Sequence, residues 1–246
     1  IMSINIDLNR KTALITGATR GIGKAIADDF LRAGAKVVLT GTKQADIEQF
    51  TSNNEYPQIQ WLQADFSTQD GIELFIKELR KFDPIDICIN NAGINIIKPF
   101  TEYSTDEYQR LLSINLTAPF SIVQHLIPNM KEQRFGRIVN IASIWSQISK
   151  VNRSLYTTSK TGLIGFTRAM AAEYASSNIL VNSVSPGFTR TELTEQSLSS
   201  DEIIQLSKQI PAERFAEPYE IAKVVLFLCS DLNTYITGQN IVIDGG

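Results

Sequence analysis

The sequence is poor in the residues on which metal sites, disulfide frameworks and histidine-based triads depend. Its 246 residues include one histidine, His125, and two cysteines, Cys88 and Cys229, which lie far apart in the apolar segments "IDICIN" and "LFLCSD". A single histidine argues against a histidine-rich metal site and against a Ser-His-Asp triad. Isolated cysteines in apolar segments are typical of buried free thiols in a reducing compartment. We therefore expect no metal site and no disulfide.

The sequence also lacks an excess of charge of one sign and any long apolar run. With 23 Lys and Arg and 26 Asp and Glu, its net charge is −3. That balance argues against nucleic acid or an anionic membrane as a partner, since either would need a basic face. No apolar run approaches the ~20 residues that cross a bilayer, and "IMSINIDLNRK" at the start has no signal-peptide core. We expect a cytoplasmic protein.

What the sequence does contain is an alternation of short apolar runs with longer amphipathic ones. The apolar runs predict strands and the amphipathic runs predict helices. Continuous apolar strands that alternate with helices indicate βαβ units, and therefore a parallel sheet covered by helices on both faces. We predict an α/β fold with a doubly wound parallel sheet of about seven strands, at residues 11–17, 35–41, 59–65, 85–93, 136–143, 179–187 and 239–246.

Two long segments depart from this alternation. Residues 104–131 form a long helical stretch, with Ser104 as its cap and Glu107 three residues later, as in a capping box. Residues 188–216 are polar and rich in turn residues, which is typical of lids and substrate loops. Because the chain has no repeat, no low-complexity linker and no break in composition, we predict one domain over residues 1–246.

The segment "TGATRGIG", residues 16–23, follows the first predicted strand and begins the first predicted helix. Small residues at such a turn let the backbone approach a pyrophosphate, and the helix N-terminus offers free N–H groups and a positive dipole end. We therefore predict a nucleotide site rather than a plain strand–helix turn. At the end of the second strand, Thr42 and Lys43 stand where an acid would bind a ribose 2′-hydroxyl, and Arg20 could reach a 2′-phosphate. This pattern favours NADP(H) over NAD(H).

Tyr156 and Lys160 are one helical turn apart in "SLYTTSKTGLIGFTRAMAAEYA", so on a helix they share a face. Alone, such a pair is usually a surface helix with a solvated lysine. Here it follows "TGATRGIG", "NNAG" at residues 90–93 and Ser143, in that order. With these motifs the sequence resembles the short-chain dehydrogenase/reductase family over residues 11–246, and within it the 3-oxoacyl-acyl-carrier-protein reductase-like members.

This resemblance implies a Rossmann-type domain and an NADP(H)-dependent oxidoreductase that interconverts a carbonyl and a secondary alcohol by hydride transfer. It carries the family's catalytic positions over to Asn115, Ser143, Tyr156 and Lys160. The cofactor-binding positions that match are Gly17, Thr19, Arg20, Gly21, Ile22, Gly23, Thr42, Asp65, Phe66, Asn91, Ala92, Gly93, Tyr156, Lys160, Pro186, Gly187 and Thr189.

The resemblance also implies a role for each catalytic position. Tyr156 exchanges a proton with the substrate oxygen, and Ser143 hydrogen-bonds that oxygen. Lys160 lowers the pKa of Tyr156 and binds the nicotinamide ribose, while Asn115 anchors a water chain from Lys160 to solvent. Two plainer interpretations stay open: Ser143 could be a helix cap, and Asn115 could satisfy backbone groups where a helix is distorted.

The substrate and the partners are less well indicated. Carrier-protein reductases of the family are thought to meet the acidic carrier with surface arginines; Arg134 matches one such position, but Ser177 stands at the other. A 3-oxoacyl thioester, a small ketone and a sugar derivative are open. So are an NAD(P)⁺-dependent secondary-alcohol, polyol or sugar dehydrogenase and a nucleotide-binding scaffold without activity. The family usually forms tetramers, so we expect a homotetramer that pairs the helices of residues 104–131 and 154–177.

Overall fold

The computed structural model describes residues 6–51 and 57–246. Its centre is one seven-stranded parallel sheet with the strand order β3-β2-β1-β4-β5-β6-β7. The strands are β1 Thr12–Ile15, β2 Lys36–Gly41, β3 Ile59–Gln63, β4 Ile87–Asn90, β5 Gly136–Ile141, β6 Ile179–Pro186 and β7 Asn240–Ile243. The doubly wound α/β fold predicted from the sequence is confirmed. Since the strand order reverses between β1 and β4, the carboxyl ends of these strands open a crevice there.

Helices cover both faces of the sheet. They are α1 Gly21–Arg32, α2 Gln44–Thr51, α3 Gln69–Leu79, α4 Thr105–Leu112, α5 Ala118–Gln133, α6 Ser154–Tyr174, α7 Glu192–Ser197, α8 Ser200–Ser207 and α9 Pro218–Cys229. Neighbouring residues of β1 point to opposite faces, so Ile15 packs with α1 and α9 while Leu14 packs with α3 and α5. This alternation divides the core into two layers, as the pleat of a buried strand requires.

Apart from the second, the predicted strands are longer than the observed ones at their carboxyl ends. The fourth was expected over residues 85–93, but β4 ends at Asn90. The backbone amides of Asn91 and Ala92 leave the ladder and donate to the hydroxyl of Thr16, each at 3.0 Å. The apolar run therefore continues past the strand into a loop that a neighbouring side chain holds.

The predicted long helix of residues 104–131 is helical, but it is not a regular α-helix. Ser104 and Glu107 form the expected capping box at its start. A π-helical turn, Ser113–Thr117, separates α4 from α5, and such turns insert one extra residue into a helix. The whole stretch, Thr105–Gln133, is long and apolar enough to cross a membrane by length and composition. Part of its apolar surface packs in the core, where Leu111, Ile122 and Leu126 are buried.

The two cysteines and the segment 188–216 are the remaining features predicted from the sequence. Cys88 on β4 and Cys229 at the end of α9 are free and buried, as predicted, and burial raises the pKa of the Cys88 thiol to about 12. The segment predicted as a polar loop contains two short helices, α7 and α8, and returns to the core at Phe215. Both helices are capped at their first turn by a hydroxyl, from Thr191 and Ser199 respectively.

Candidate active site

A cleft of about 630 Å³ opens at the carboxyl ends of the parallel strands. The glycine turn, the ends of β2 to β6 and the segment 188–216 all contribute to its lining. The structure brings together here every residue predicted to bind the cofactor, and three of the four predicted catalytic residues. These three are Ser143, Tyr156 and Lys160.

Backbone geometry accounts for the glycines in the turn. Gly17 and Gly21 have φ of +65° and +56°, a region that favours glycine because other residues clash there. A Cβ at Gly23 would lie 2.3 Å from the carbonyl oxygen of Gly17 and 2.4 Å from the Asn91 side chain. The three glycines thus allow the turn to fold tightly against the segment after β4 and leave the start of α1 open to the cleft.

Thr16 and Asn91 fix the walls of the cleft on the β1 and β4 side. The Asn91 amide group donates to the carbonyl oxygens of Thr16 and Gly17 at 2.9 and 3.0 Å. The Thr40 hydroxyl accepts from the Gly17 N–H at 3.0 Å. A network of partly buried hydrogen bonds of this kind rigidifies a site, so this part of the cleft has its shape before any ligand binds.

Asp65 and Phe66 lie where β3 ends, at the far end of the cleft from Tyr156. Hydrogen bonds from Ser67 hold the pKa of the Asp65 carboxyl below its usual range, with Arg110 adding a smaller attraction. The carboxylate is therefore ionised and can accept hydrogen bonds at neutral pH. Phe66 differs from the expectation for a cofactor contact, because its ring is buried and packs edge-on against Phe75 with centroids 5.1 Å apart. Because the ring is buried, the backbone of Phe66 is the part that can line the cleft.

The positions considered for a 2′-phosphate divide into two groups. Arg20 and Thr42 line the cleft, whereas Lys43 does not belong to the lining. Arg20 is exposed, so its guanidinium can move toward a ligand. Arg110, which the sequence analysis overlooked, is a further cation in the lining. It lies on the long helix, where neither a motif nor its spacing distinguishes it from a solvated surface arginine.

Ser143, Tyr156 and Lys160 converge where β5 ends. Ser143 begins the 3₁₀ turn Ile144–Ser146, and its side-chain oxygen accepts from the Trp145 N–H at 3.3 Å. It is therefore a cap, as one interpretation held, and it also hydrogen-bonds Tyr156. Lys160 is buried on the next turn of α6, and its Nζ donates to the carbonyl oxygen of Ile141 at 2.7 Å.

The electrostatics of this pair differ from the prediction. Burial raises the pKa of Tyr156, while the hydrogen bond with Ser143 and the charge of Arg153 act to lower it. Lys160 is not among these influences; burial lowers its own pKa to about 8. Its Nζ lies 5.8 Å from the centroid of the Tyr156 ring. In the protein alone, Arg153 and Ser143 are thus the groups that favour the phenolate.

Asn115 lies behind the cleft rather than in its lining. It sits in the π-helical turn and is 1% exposed. Its side-chain oxygen accepts from the Ile94 N–H at 2.9 Å, and its nitrogen donates to the Ile94 carbonyl oxygen and to the Ser159 hydroxyl. The geometry therefore agrees with the interpretation in which Asn115 satisfies backbone groups where a helix is distorted.

Gly93 lies between the cleft and the buried side chain of Asn115. A Cβ on Gly93 would lie 3.3 Å from both the Asn115 oxygen and the Lys160 Nζ. The glycine thus keeps open the space between the cleft and these two buried polar groups. Gly187, at the opposite wall, is similarly confined, because a Cβ there would lie 2.7 Å from the backbone of Asp244.

The residues of the cleft fit a dinucleotide. Gly17, Gly21 and Gly23 line the cleft beside the first turn of α1, whose backbone N–H groups can meet a phosphate. Asp65 belongs to the lining where β3 ends, and Tyr156 and Lys160 belong to it where β5 ends. Within residues 6–51 and 57–246, no three His, Cys, Asp or Glu side chains are grouped to hold a metal ion.

Comparison with known proteins decides the family. The family model described as "Enoyl-(Acyl carrier protein) reductase" matches residues 17–246. The 3-oxoacyl-[acyl-carrier-protein] reductase FabG of Aquifex aeolicus is 41% identical over 248 residues, which cover 99% of each chain. The chain belongs to the short-chain dehydrogenase/reductase family.

Solved structures of other short-chain dehydrogenase/reductases are similar throughout. A protein of Beutenbergia cavernae, described as a candidate NAD(P)-dependent gluconate 5-dehydrogenase and solved with NADP at low occupancy, superposes with a TM-score of 0.89. It is 32% identical, and the match covers 98% of this chain and 97% of that one. A 4-hydroxyisoleucine dehydrogenase in complex with NADH gives a TM-score of 0.90 at 34% identity, with 96% and 98% covered. As a member of this family, the protein is an NAD(P)-dependent oxidoreductase acting on CH–OH and C=O groups.

Two cations in the short-chain dehydrogenase/reductase cleft, besides Arg110, were missed at the sequence level. Arg153 and Lys150 line it on the side of Trp145. Arg153 is the N-cap residue of α6, three residues before Tyr156, so it lies one turn from Tyr156. That spacing could have revealed Arg153. Lys150 lies in an irregular segment whose path the sequence does not specify.

Proposed function

We propose that the protein is an NADP(H)-dependent reductase in which Tyr156 is the proton donor to the developing alkoxide. The observation that supports this most directly is the convergence of Ser143, Tyr156 and Lys160 at one end of a nucleotide-sized cleft. Because burial raises its pKa, the Tyr156 phenol is protonated at neutral pH and is ready to donate in the direction of reduction.

The cofactor would be held along the cleft by the residues that line it. The glycine turn and Ile22 would meet the pyrophosphate, Asp65 the adenine, and the segment Asn91–Gly93 the ribose and nicotinamide. Pro186, Gly187 and Thr189 would lie against the carboxamide. When bound, the nicotinamide supplies or accepts the hydride.

Ser143 and Lys160 would complete the proton-transfer site. The Ser143 hydroxyl, held by the Trp145 N–H, would hydrogen-bond the substrate oxygen and orient the carbonyl. Lys160, with a pKa of about 8, is a charged group in a buried position at neutral pH. We propose that it binds the nicotinamide ribose.

Asn115 would be a positioning residue. Both polar atoms of its side chain are bound to Ile94 and Ser159, so it fixes the segment after Gly93 and the helix that carries Tyr156 relative to each other. Its carbonyl oxygen keeps a second lone pair, which could accept from a water molecule between Asn115 and Lys160. The proposed water chain to solvent would start there.

The preference for NADP(H) rests on charge. Arg20 and Arg110 are cations in the lining, and no acid follows β2 at Thr42. An adenosine 2′-phosphate would gain from these cations and would meet no carboxylate at Thr42. The relatives are divided, since one neighbour was solved with NADP and another with NADH.

For the substrate, we propose a 3-oxoacyl thioester carried on acyl-carrier protein, on the strength of the Aquifex aeolicus relative. The surface offers limited support. Arg134 is exposed, but one of its guanidinium nitrogens already donates to the Ser176 carbonyl oxygen at 3.2 Å, and Ser177 follows. The second candidate is a dehydrogenase of small hydroxy compounds, which the names of the two structural neighbours favour.

We further propose that the chain is one cytoplasmic domain whose segment 188–216 closes over the substrate. In that segment Phe188, Leu198 and Leu206 line the cleft.

We also propose a homotetramer through the outer faces of α5 and α6. Phe120 on α5 is 48% exposed and packs beside Phe166 of α6 with ring centroids 5.9 Å apart. Light scattering of the wild type and of Phe120→Lys would test the assembly; an unchanged mass would contradict the interface.

The central test is Tyr156→Phe. We expect kcat to fall about 10²- to 10⁴-fold, the usual contribution of a positioned acid or base, with the Kd of NADPH close to the wild-type value. A variant that retains more than about a tenth of the wild-type kcat would refute the proton-donor role.

The pH dependence gives a second readout of Tyr156. Oxidation of an alcohol needs the phenolate, and the raised pKa keeps that form scarce at neutral pH. We expect kcat/KM for oxidation to rise about tenfold per pH unit below the pKa, while reduction is insensitive to pH there. Assays of both directions on acetoacetyl thioester, keto-sugar and simple ketone or alcohol pairs would also rank the substrates.

A further inference from the structure

Charge is unevenly distributed along the cleft. Among the residues that the structure describes, its lining contains one carboxylate, Asp65, which lies at the adenine end. The lining cations are Arg20, Arg110, Lys150, Arg153 and Lys160. Of these, Arg20 and Arg110 share the adenine end with Asp65, and Lys160 is buried beside Tyr156. Lys150 and Arg153 are left, without an acid in the lining, at the end where a substrate would enter.

Arg153 is held in place by an aromatic ring rather than by an ion pair. Its guanidinium carbon lies 5.5 Å from the centroid of the Trp145 ring. Trp145 packs edge-on against Phe188, which in turn stacks on Phe215. An arginine on an aromatic face keeps its edge, and hence its paired N–H donors, free for a planar acceptor.

No carboxylate of the described chain neutralises this arginine. The protein groups whose charge acts on Arg153 are the phenols of Tyr156 and Tyr103, and partial burial lowers its pKa without removing its charge. Lys150 is exposed and likewise lies in the lining. A partly buried arginine without an anionic partner is costly unless a ligand supplies one.

We propose that Arg153, supported by Trp145, binds a carboxylate of the substrate, so that the reacting carbonyl or alcohol belongs to an oxo or hydroxy carboxylic acid. This inference rests on the proposed function, because it places the substrate oxygen at Tyr156 and Ser143. Arg153 precedes Tyr156 by one helical turn and acts on its charge. The anion must therefore lie within a few bonds of the reacting carbon.

A neutral thioester would leave this arginine unpaired. The phosphate of a pantetheine arm is a second source of negative charge, but it lies the length of that arm away from the oxo group. Arg153 is only one helical turn from Tyr156, about 5 Å along the axis. The position of the cation thus favours a small acid over a carrier-bound acyl chain, and it favours the second candidate function named above.

The test compares acids with their methyl esters, which lack the negative charge and add one methyl group. The probes are pyruvate, acetoacetate and levulinate, in which the oxo group is two, three or four carbons along the chain. Reduction by NADPH is followed for wild type and Arg153→Gln. We expect the wild type to prefer at least one acid over its ester. In Arg153→Gln the ratio of kcat/KM for that acid to kcat/KM for its ester should fall about 10- to 100-fold, since the effect of the lost charge on Tyr156 is common to both substrates and cancels in the ratio. The loss should lie mainly in KM.

Binding without turnover separates this inference from the proposed function. Acetoacetate cannot react with NADP⁺, so calorimetric titration of the protein–NADP⁺ complex gives its Kd directly, and the same titration serves the other two acids and all three esters. Arg153→Lys should retain part of the preference. Arg80→Gln, which removes an exposed arginine directly after α3 and outside the cleft, is the matched control and should behave as wild type.

Two results would overturn the inference. One is that no acid of the series binds more tightly than its ester. The other is that Arg153→Gln weakens acid and ester alike, as it would if the arginine only packed against Trp145. The proposed function fails separately, if Tyr156→Phe keeps its activity or if neither charged nor neutral carbonyls are reduced.

Discussion

The two ends of the cleft are built differently. At the nucleotide end, the walls are backbone: the glycine turn, Thr16 and Asn91 are joined by partly buried hydrogen bonds of 2.9 to 3.0 Å. At the substrate end, the walls are side chains on short elements, namely Trp145 and Arg153 and the segment 188–216. The first arrangement admits one ligand shape. The second can be altered by exchanging side chains while the fold stays the same, which is how one fold serves many substrates.

The largest effect that this comparison predicts comes from Gly23→Ala. Its Cβ would lie 2.3 Å from the Gly17 carbonyl oxygen and 2.4 Å from the Asn91 side chain, and backbone cannot move away cheaply. We expect the Kd of NADPH to rise about 100-fold or more, as displacements of about 1 Å at a site can cause. Lys24→Ala is the control, because that side chain points outward to Asp28. Unchanged binding by Gly23→Ala would mean that the nucleotide end is not rigid.

An intermediate effect is expected from Thr42→Asp. A carboxylate at the end of β2 would repel a 2′-phosphate and could accept from a 2′-hydroxyl, so KM for NADPH should rise about tenfold or more relative to KM for NADH. Lys43→Asp changes the net charge more but lies outside the lining, and it should shift the ratio less. If both variants shift it equally, the effect is general electrostatics and the specific role of Thr42 is wrong.

The smallest effect is expected at the substrate end, from Leu206→Ala. Leu206 lines the cleft from α8, and removing its side chain should raise KM for the carbonyl substrate about three- to tenfold. The Kd of NADPH should not change. Ile204→Ala on the same helix is the matched control, since Ile204 is 51% exposed and outside the lining. A loss of coenzyme binding in Leu206→Ala would show that the two ends are coupled.

The features that could be predicted from the sequence belong mainly to the nucleotide end of the cleft, and those that were missed lie mainly outside its glycine turn. The sheet, the glycine turn and the Tyr156–Lys160 spacing could be read from local periodicity, because strand–turn–helix geometry is a local property. The order of the motifs along the chain then predicted that they meet at one nucleotide-binding site. Arg110 was missed because its role depends on Asp65, which is distant from it in sequence. Arg153 is close in sequence to Tyr156 and could have been found from that spacing.

The electrostatic prediction for Tyr156 shows the limit of spacing arguments. Sharing a helix face places Lys160 near Tyr156, but it does not specify how deeply either is buried. In the structure, burial dominates both pKa values, and the ammonium is drawn to the Ile141 carbonyl instead of the phenol. Desolvation depends on the whole fold and is therefore invisible in a four-residue motif.

The π-helical turn at Ser113–Thr117 has a consequence for how this chain can change over time. One additional residue in a helix rotates everything that follows by about 100°. Removing any residue there would restore a regular helix, and the apolar face of α5 would then turn away from the sheet that Ile122 and Leu126 now cover. We expect this stretch to tolerate substitutions but no single-residue deletion, so that its length is under tighter constraint than its composition.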